Sequence, residues 1–546
     1  AKRIQKNQAS VPDVPHKVKM AAADFSARVV AAIGRGRLHP ASFDELLDKQ
    51  SRPTQRHIID DGSAVAGSRR QNIKAMDKAE GYQKINPFRI ISPTSASHKV
   101  GWSPFMMSFQ SAMSAAFGQT WYMPGRTPAE IAARLAEFCS ARERVSCEDG
   151  ETWDTTYCIW ARSWFLSLLL ALFAQEWHDK ILEEYEHCFA NAGWIMNVMY
   201  EQIAGIGSGF PETTGANTTL GAMKTFVRHW LDGLSPDACW KNLGLYLGDD
   251  AVSDYGTEER IQEVGAIFGL KLTTENFERG AWGVNFAGRI AGPSVWYGDP
   301  STQADPRRNM ARFHLRVRDR FTALEKVTQR LSGWLACDGN TYPLGNIARA
   351  FMQGCEATGL ELPCLGPEAT TWWAQYNSEV QFPNDVASWS APWLVARFPT
   401  FKMDVCEAFI RRLRLDPLEI FVAPLLFGVV QIAVPENMVA SVPFTYASPA
   451  ATEYVPSAGT AEDRETLVAA VIDAALAPGP VVPGVEGVAK PCSNCKVLTS
   501  PLALSVNQKK KYDADRSFRC RQCAASAAKD YDAKGKASKS TDSDST

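Results

Sequence analysis

Leu243-Gly244-Leu245-Tyr246-Leu247-Gly248-Asp249-Asp250-Ala251-Val252-Ser253 is the stretch on which the reading of this chain turns. Leucines at 243, 245 and 247 alternate as one face of a half-buried strand, with Tyr246 between them. Gly248-Asp249-Asp250 supplies a tight turn, and Ala251-Val252 starts the return. The expected element is a β-hairpin with two adjacent carboxylates at its tip. Like charges this close raise each other's pKa unless a cation lies between them. Hard carboxylate oxygens suit Mg²⁺, which takes one or two protein ligands and completes its shell with water and substrate phosphates. The competing reading is an Asp-rich surface turn, and only partners elsewhere in the chain separate the two.

The bulk numbers narrow the class. A chain of 546 residues, 45% hydrophobic and 22% charged, is an ordinary globular protein with a large core. A net charge of −2 excludes a globally basic nucleic-acid binder, so any such site is a local patch. Nine of the 13 cysteines lie between Cys139 and Cys406 without motif spacing, and are expected as buried free thiols, not a disulfide framework. The most apolar run, 164–174, is shorter than the roughly 20 residues that span a bilayer, and reads as a buried core helix. No membrane-spanning segment is expected. Position 1 is Ala and no signal peptide follows, so the expectation is a processed product or a piece of something longer.

Other segments supply partners for the hairpin. Arg69, Arg70, Lys74, Lys78, Lys84, Arg89 and Lys99 face only Asp77 and Glu80, an excess that suits a polyanion or, alternatively, a solvated face. Asp149 falls at the expected end of a strand, and Asp154 at the start of a long helix through 164–177, where Asp154 or Thr155 could cap. Gly207-Ser208-Gly209 leads through Thr213 and Asn217 to a helix expected over 220–231, with glycines that allow close backbone approach. Lys271 is expected on a strand after an amphipathic helix over 258–269, and 283–290 as a further hairpin strand. Helices are expected over 310–335, 344–357 and 403–413.

The tail carries Cys492-Ser-Asn-Cys495, 24 intervening residues, then Cys520-Arg-Gln-Cys523. Two CxxC pairs predict a tetrahedral Zn²⁺ site in a segment too short for its own core. Lys509 to Lys511, Arg516, Arg519 and Arg521 make that module basic, which suggests nucleic-acid contact.

In order, the chain presents a basic strand, Asp149-x4-Asp154, Ser208-Gly209-x3-Thr213-x3-Asn217, Gly248-Asp249-Asp250 and Lys271. That series resembles the RNA-dependent RNA polymerases of positive-strand RNA viruses, whose first three palm motifs have this form. Lys78-Ala-Glu80-Gly-Tyr82-Gln-Lys84 with Arg89-Ile-Ile-Ser92, Gly269-Leu270-Lys271 and Phe286-Ala-Gly-Arg289 are similar to segments of the nodaviruses and their relatives. The likeness covers about residues 70–300, more loosely to 440. The family's N-terminal membrane anchor and capping region find no counterpart in this chain, and the CxxC tail none in nodaviral replicases.

The resemblance implies an α+β right-hand polymerase with an antiparallel palm sheet and a zinc-binding tail. Fingers would come from 1–144 and 160–204, palm from 145–159 and 205–299, and thumb from 300–440. A linker (441–490), the zinc module (491–523) and a disordered tail (524–546) would follow. Two Mg²⁺ or Mn²⁺ ions would be held by Asp149 and Asp249, with Asp250 auxiliary. Asp154 and Asn217 would read the ribose 2′-hydroxyl, supported by Ser208 and Thr213. Lys78, Lys84 and Arg89 would neutralise the triphosphate, and Lys271 would be general acid for pyrophosphate if burial lowers its pKa. Implied partners are RNA template, nascent RNA strand, ribonucleoside triphosphates and other replicase subunits. The implied location is host cytoplasm, within a membrane-associated replication complex reached through other parts or partners. A reverse transcriptase and a zinc-containing RNA-binding scaffold with a dead palm are the alternatives.

Overall fold

The computed structural model of the chain describes residues 14–427, apart from 51–52, 65–71, 78–89, 151–152, 154–155, 190, 196–197, 203–204, 314–320, 364–381, 386–387 and 423–425, together with isolated residues beyond 427. Its centre is a four-stranded antiparallel sheet. The strands are β4 (Arg144–Gly150), β7 (Leu245–Leu247), β8 (Asp250–Asp254) and β9 (Leu272–Glu278), in the order β7-β8-β4-β9. Val145 to Glu148 are all buried, because both faces of β4 are covered. On one face Val145, Cys147, Leu245, Val252 and Phe277 pack with Leu135 and Phe138 of α5 (Pro128–Ser140). The other face looks onto α8 (Thr213–Leu231).

Helices α1 (His16–Ile33), α4 (Ala96–Phe117), α6 (Ile159–Leu172) and α7 (His178–Glu186) build the large aromatic core around α8. Phe25 lies within 5.4–6.1 Å of the rings of Trp121, Trp164, Phe226 and Trp240. Rings of this size dominate core energetics, at about 1.5–3 kcal/mol per buried side chain. A second core joins α12 (Ala323–Asp338), α13 (Leu344–Thr358), α14 (Ser390–Arg397) and α15 (Met403–Leu413). A small sheet of β10 (Asn285–Phe286), β11 (Arg289–Ala291) and β12 (Thr302–Ala304) leads into it.

Several boundaries differ from the sequence reading. The apolar run is a buried helix as expected, but α6 ends at Leu172, where Phe173 becomes extended and bridges Leu38. Its N-cap is Cys158, whose Sγ accepts the Ala161 N–H, and not Asp154 or Thr155. The 310–335 helix is two, α11 (Pro306–Ala311) and α12, each capped by its own side chain, Asp305 and Thr322. Among the described residues, eight cysteines are free thiols, all buried except the half-buried Cys337. No helix among them is long and apolar enough to cross a membrane.

Candidate active site

The hairpin forms with a shorter turn than the sequence suggested. Leu247 pairs with Asp250, so Gly248-Asp249 is a two-residue turn and Asp250 already belongs to β8. Gly248 has φ 65°, at the first central position, where a tight hairpin turn favours glycine. β8 runs antiparallel to β4 with Glu148 opposite Ala251. Continuing that register by one residue sets Asp149 across from Asp250, and opposed side chains share a face. Asp149 is exposed, while Asp249 and Asp250 are half-buried. Three carboxylates therefore sit at one edge of the sheet, on adjacent strands.

Directly beneath lies a buried charge cluster that the sequence reading did not find. Side chains alternate across a strand, so Glu148 points opposite to Asp149. Its carboxylate is paired with Lys224 and lies 3.8 Å from Arg228, and it accepts the Ser253 hydroxyl at 2.6 Å. Burial alone would push the Glu148 carboxyl up. The Lys224 ammonium and the Arg228 guanidinium outweigh it and hold that carboxyl below its ordinary range. Arg228 also donates to the Asp254 carbonyl at the end of β8. A signal was available: Lys224 and Arg228 stand four apart on a helix whose neighbours Met223, Phe226 and Val227 are core residues.

Helix α8 begins at Thr213, seven residues earlier than expected, so Thr213 and Asn217 are helical. The Thr213 hydroxyl reaches the carbonyls of Gly207 (2.7 Å) and Phe210 (2.9 Å), and so fixes the Gly-rich loop. Ser208 is exposed on that loop, and Gly209 bridges Pro93, three positions after Ile90 where β3 (Ile90–Ile91) begins. A Cβ on Gly209 would come within 2.8 Å of the Pro93 backbone, so the close approach requires glycine. Asn217 is buried, and its Oδ1 accepts the Tyr157 hydroxyl at 2.8 Å. The next residue, Thr218, accepts the Gly248 N–H at 2.8 Å and donates to the Thr214 carbonyl at 2.7 Å. The helix start is thus tied directly to the carboxylate turn. Neither Tyr157 nor Thr218 figured in the sequence reading, because their roles depend on contacts across 60 and 30 positions.

Lys271 stands one residue before β9 and is exposed, not buried as the general-acid reading supposed. Lys78, Lys84, Arg89, Asp154, Cys492, Cys495, Cys520 and Cys523 lie outside the described residues. Among the described residues, no group of three His, Cys, Asp or Glu side chains is arranged as a ready-made metal cage. The donor set nevertheless fits a hard divalent cation. It offers carboxylates only, at the open edge of two adjacent strands, and Mg²⁺ in such sites needs one or two protein ligands plus substrate phosphates.

No protein-family model matches the chain. Among curated proteins it is similar to RNA-directed RNA polymerases of nodaviruses. That of Atlantic halibut nervous necrosis virus is 25% identical over 365 residues, 65% of this chain and 36% of that protein. That of Nodamura virus (strain Mag115) is 27% identical over 365 residues, 64% of this chain and 34% of that protein. That of Flock house virus is 27% identical over 319 residues, 56% of this chain and 31% of that protein. The chain spans about a third of the length of these curated relatives. Among solved structures it is similar to the RNA-dependent RNA polymerase of a human picorbirnavirus, with a TM-score of 0.51 and 16% identity, covering 75% of this chain and 82% of that chain. The mixed helices and antiparallel sheets fit a right-hand polymerase fold.

Proposed function

We propose that the chain catalyses template-directed ribonucleotide addition, copying a viral RNA genome and releasing pyrophosphate. The observation that carries this reading is the end of the sheet where the register sets Asp149 across from Asp250 and Thr218 of α8 holds the Gly248-Asp249 turn. Similarity to the nodaviral polymerases supports the substrate class.

Asp149 and Asp249 would hold the divalent ions, Mg²⁺ or Mn²⁺, with Asp250 auxiliary. Two such ions, when bound, favour the attacking 3′-hydroxylate and neutralise the charge of the triphosphate. The protein's own task is positioning. Asn217, with Asp154, hydrogen-bonds the ribose, and such a site rejects a deoxyribose because buried polar groups would lose their partner. Thr213 shapes the loop that presents Ser208 to the nucleotide. Lys78, Lys84 and Arg89 lie on the basic segment before Ser92 and draw in the triphosphate. Lys271, exposed, donates a proton to the leaving pyrophosphate from solvent-accessible surroundings. The base sequence is read by pairing with the template, so the protein needs only backbone contacts and shape.

In this reading fingers, palm and thumb would take the sequence divisions 1–144 with 160–204, 145–159 with 205–299, and 300–440, and Cys492, Cys495, Cys520 and Cys523 would hold a Zn²⁺ ion. Other replicase subunits would bring the chain to a membrane-associated complex in the host cytoplasm. The test is incorporation of NTPs on a defined RNA template by wild type and Asp249→Ala in parallel. Loss of roughly three orders of magnitude is expected, since metal-held charge stabilisation is worth several kcal/mol. Unchanged incorporation by the variant would refute the site, and exclusive use of dNTPs would make the chain a reverse transcriptase.

A further inference from the structure

Tyr157 sits between β4 and α6, three positions beyond Asp154, and its side chain is 5% exposed. Its hydroxyl donates to Oδ1 of Asn217 at 2.8 Å, and Asn217 is itself 2% exposed. The backbone around Tyr157 is fixed from both sides. Thr156 donates its hydroxyl to the Trp153 carbonyl at 3.1 Å, and Cys158 caps α6. The phenol is therefore a firmly mounted donor to the carbonyl end of Asn217.

An asparagine amide has two unlike ends, a carbonyl that accepts and an NH₂ that donates. A buried phenol that donates to the carbonyl end settles which way the amide faces. The NH₂ end is then turned away from Tyr157. A ribose 2′-hydroxyl offers an oxygen that accepts such a donor, and a deoxyribose offers nothing there. We propose that Tyr157 is a positioning residue for sugar selection: its hydroxyl locks the Asn217 amide so that the donor end meets the 2′-hydroxyl of the incoming nucleotide. This rests on the reading of Asn217 as a ribose contact.

Phenylalanine at 157 keeps the ring and its packing and removes only the donor. The amide can then turn over to satisfy its carbonyl, and the site offers the sugar a mixture of ends. Discrimination is lost, while the metal-binding carboxylates are untouched.

The experiment measures kcat/KM for an rNTP and its matching dNTP on one RNA template. It uses wild type, Tyr157→Phe, Asn217→Ala and the double variant. The expected result is a roughly tenfold fall in the rNTP:dNTP ratio for Tyr157→Phe, a fall at least as large for Asn217→Ala, and no further fall in the double variant. If Asn217→Ala lowers the ratio and Tyr157→Phe does not, the positioning role is overturned and the ribose contact stands. If Asn217→Ala leaves the ratio unchanged, both fall. An equal loss for both sugars in Tyr157→Phe marks a structural role only and also overturns the proposal. A measurement on wild type alone guards against a variant that does not fold. A 2′-amino nucleotide, neutral at about pH 8, keeps an acceptor lone pair at that position and should be used better than the 2′-deoxy form. A preference for 2′-deoxy over 2′-amino, or equal use of the two, would mean that the donor end does not face the sugar.

Discussion

Glu148 and Asp149 are neighbours with opposite surroundings. Asp149 is exposed at the end of β4, and Glu148 is buried against Lys224, Arg228 and Ser253. Breaking a buried pair by removing one partner leaves an uncompensated charge, which costs about 3–5 kcal/mol. Lys224→Met should therefore lower the free energy of unfolding by about that much in a urea titration, with Arg228 recovering part of it. Glu148→Gln/Lys224→Met together should recover most of the loss, because no buried charge is stranded. A double variant as unstable as the single would mean that packing, not charge, dominates. The sign of the pH effect follows from the direction of the shift. The folded carboxyl titrates below its unfolded value of 4.5, so its contribution is complete above about pH 4.5. It is lost as the pH falls through the lower, folded pKa. Wild type should thus lose stability on acidification below pH 4.5 more steeply than Glu148→Gln, and parallel curves would exclude the pair as an acid-sensitive element.

Helix α8 carries the most consequences of any element, and it shows how far the sequence could be read. The Ser-Gly-x3-Thr-x3-Asn spacing is legible, but the local sequence predicts the helix start seven residues late. Gly207, Gly209 and Gly215 disguised its start. A Cβ on Gly215 would press within 3.2 Å of the Phe109 ring, so that glycine serves packing and not flexibility. The hairpin is legible from alternation alone, yet the Gly-Asp-Asp run predicts a turn that includes Asp250. A two-residue loop needs only Gly248 at positive φ, which frees Asp250 to pair with Leu247. Contacts between α8 and the hairpin were not legible, since nothing local in Thr218 points to Gly248. Thr218→Val keeps the shape and removes the acceptor for the Gly248 N–H. Leaving a half-buried N–H unmade costs about 1–3 kcal/mol, concentrated on the turn that holds Asp249. Nucleotide incorporation should fall about tenfold and require more Mg²⁺ for half-maximal rate, and Thr218→Ser should restore both. A rate deficit with an unchanged Mg²⁺ requirement would uncouple Thr218 from the carboxylates.

At the scale of the whole chain, long-range joints escape sequence reading for the same reason. The helix Met403–Leu413 is legible in the sequence, because its apolar residues repeat on one face. Arg289 was recognised only as part of a motif, and its partner lies 49 positions away. One guanidinium nitrogen of Arg289 donates to both Asp338 carboxylate oxygens at 2.9 Å, Nε reaches the Thr302 hydroxyl at 3.2 Å, and the other nitrogen reaches the carbonyls of Thr302 and Cys337. Asp338 also accepts the Ala304 N–H at 2.7 Å and the Thr341 hydroxyl at 3.0 Å. The pair thus pins the β10-β11-β12 sheet to the end of α12, within the helical region expected as the thumb (300–440). Lysine retains the charge but not the planar fork, so Arg289→Lys leaves several of these acceptors unmet, at about 1.5–3 kcal/mol. The damage falls on the joint and not on the carboxylate edge, which β4 and β8 build without Arg289. On the proposed function, a loosened thumb should leave addition of one nucleotide at close to the wild-type rate and let the duplex go sooner. Product lengths on a long RNA template, with an excess of competitor RNA added after the first addition, should therefore shorten in Arg289→Lys. Single-nucleotide addition should stay within about twofold of wild type, a change of under 0.5 kcal/mol. If single addition falls as far as product length, the joint supports the palm itself, and the division of labour between sheet and thumb is wrong.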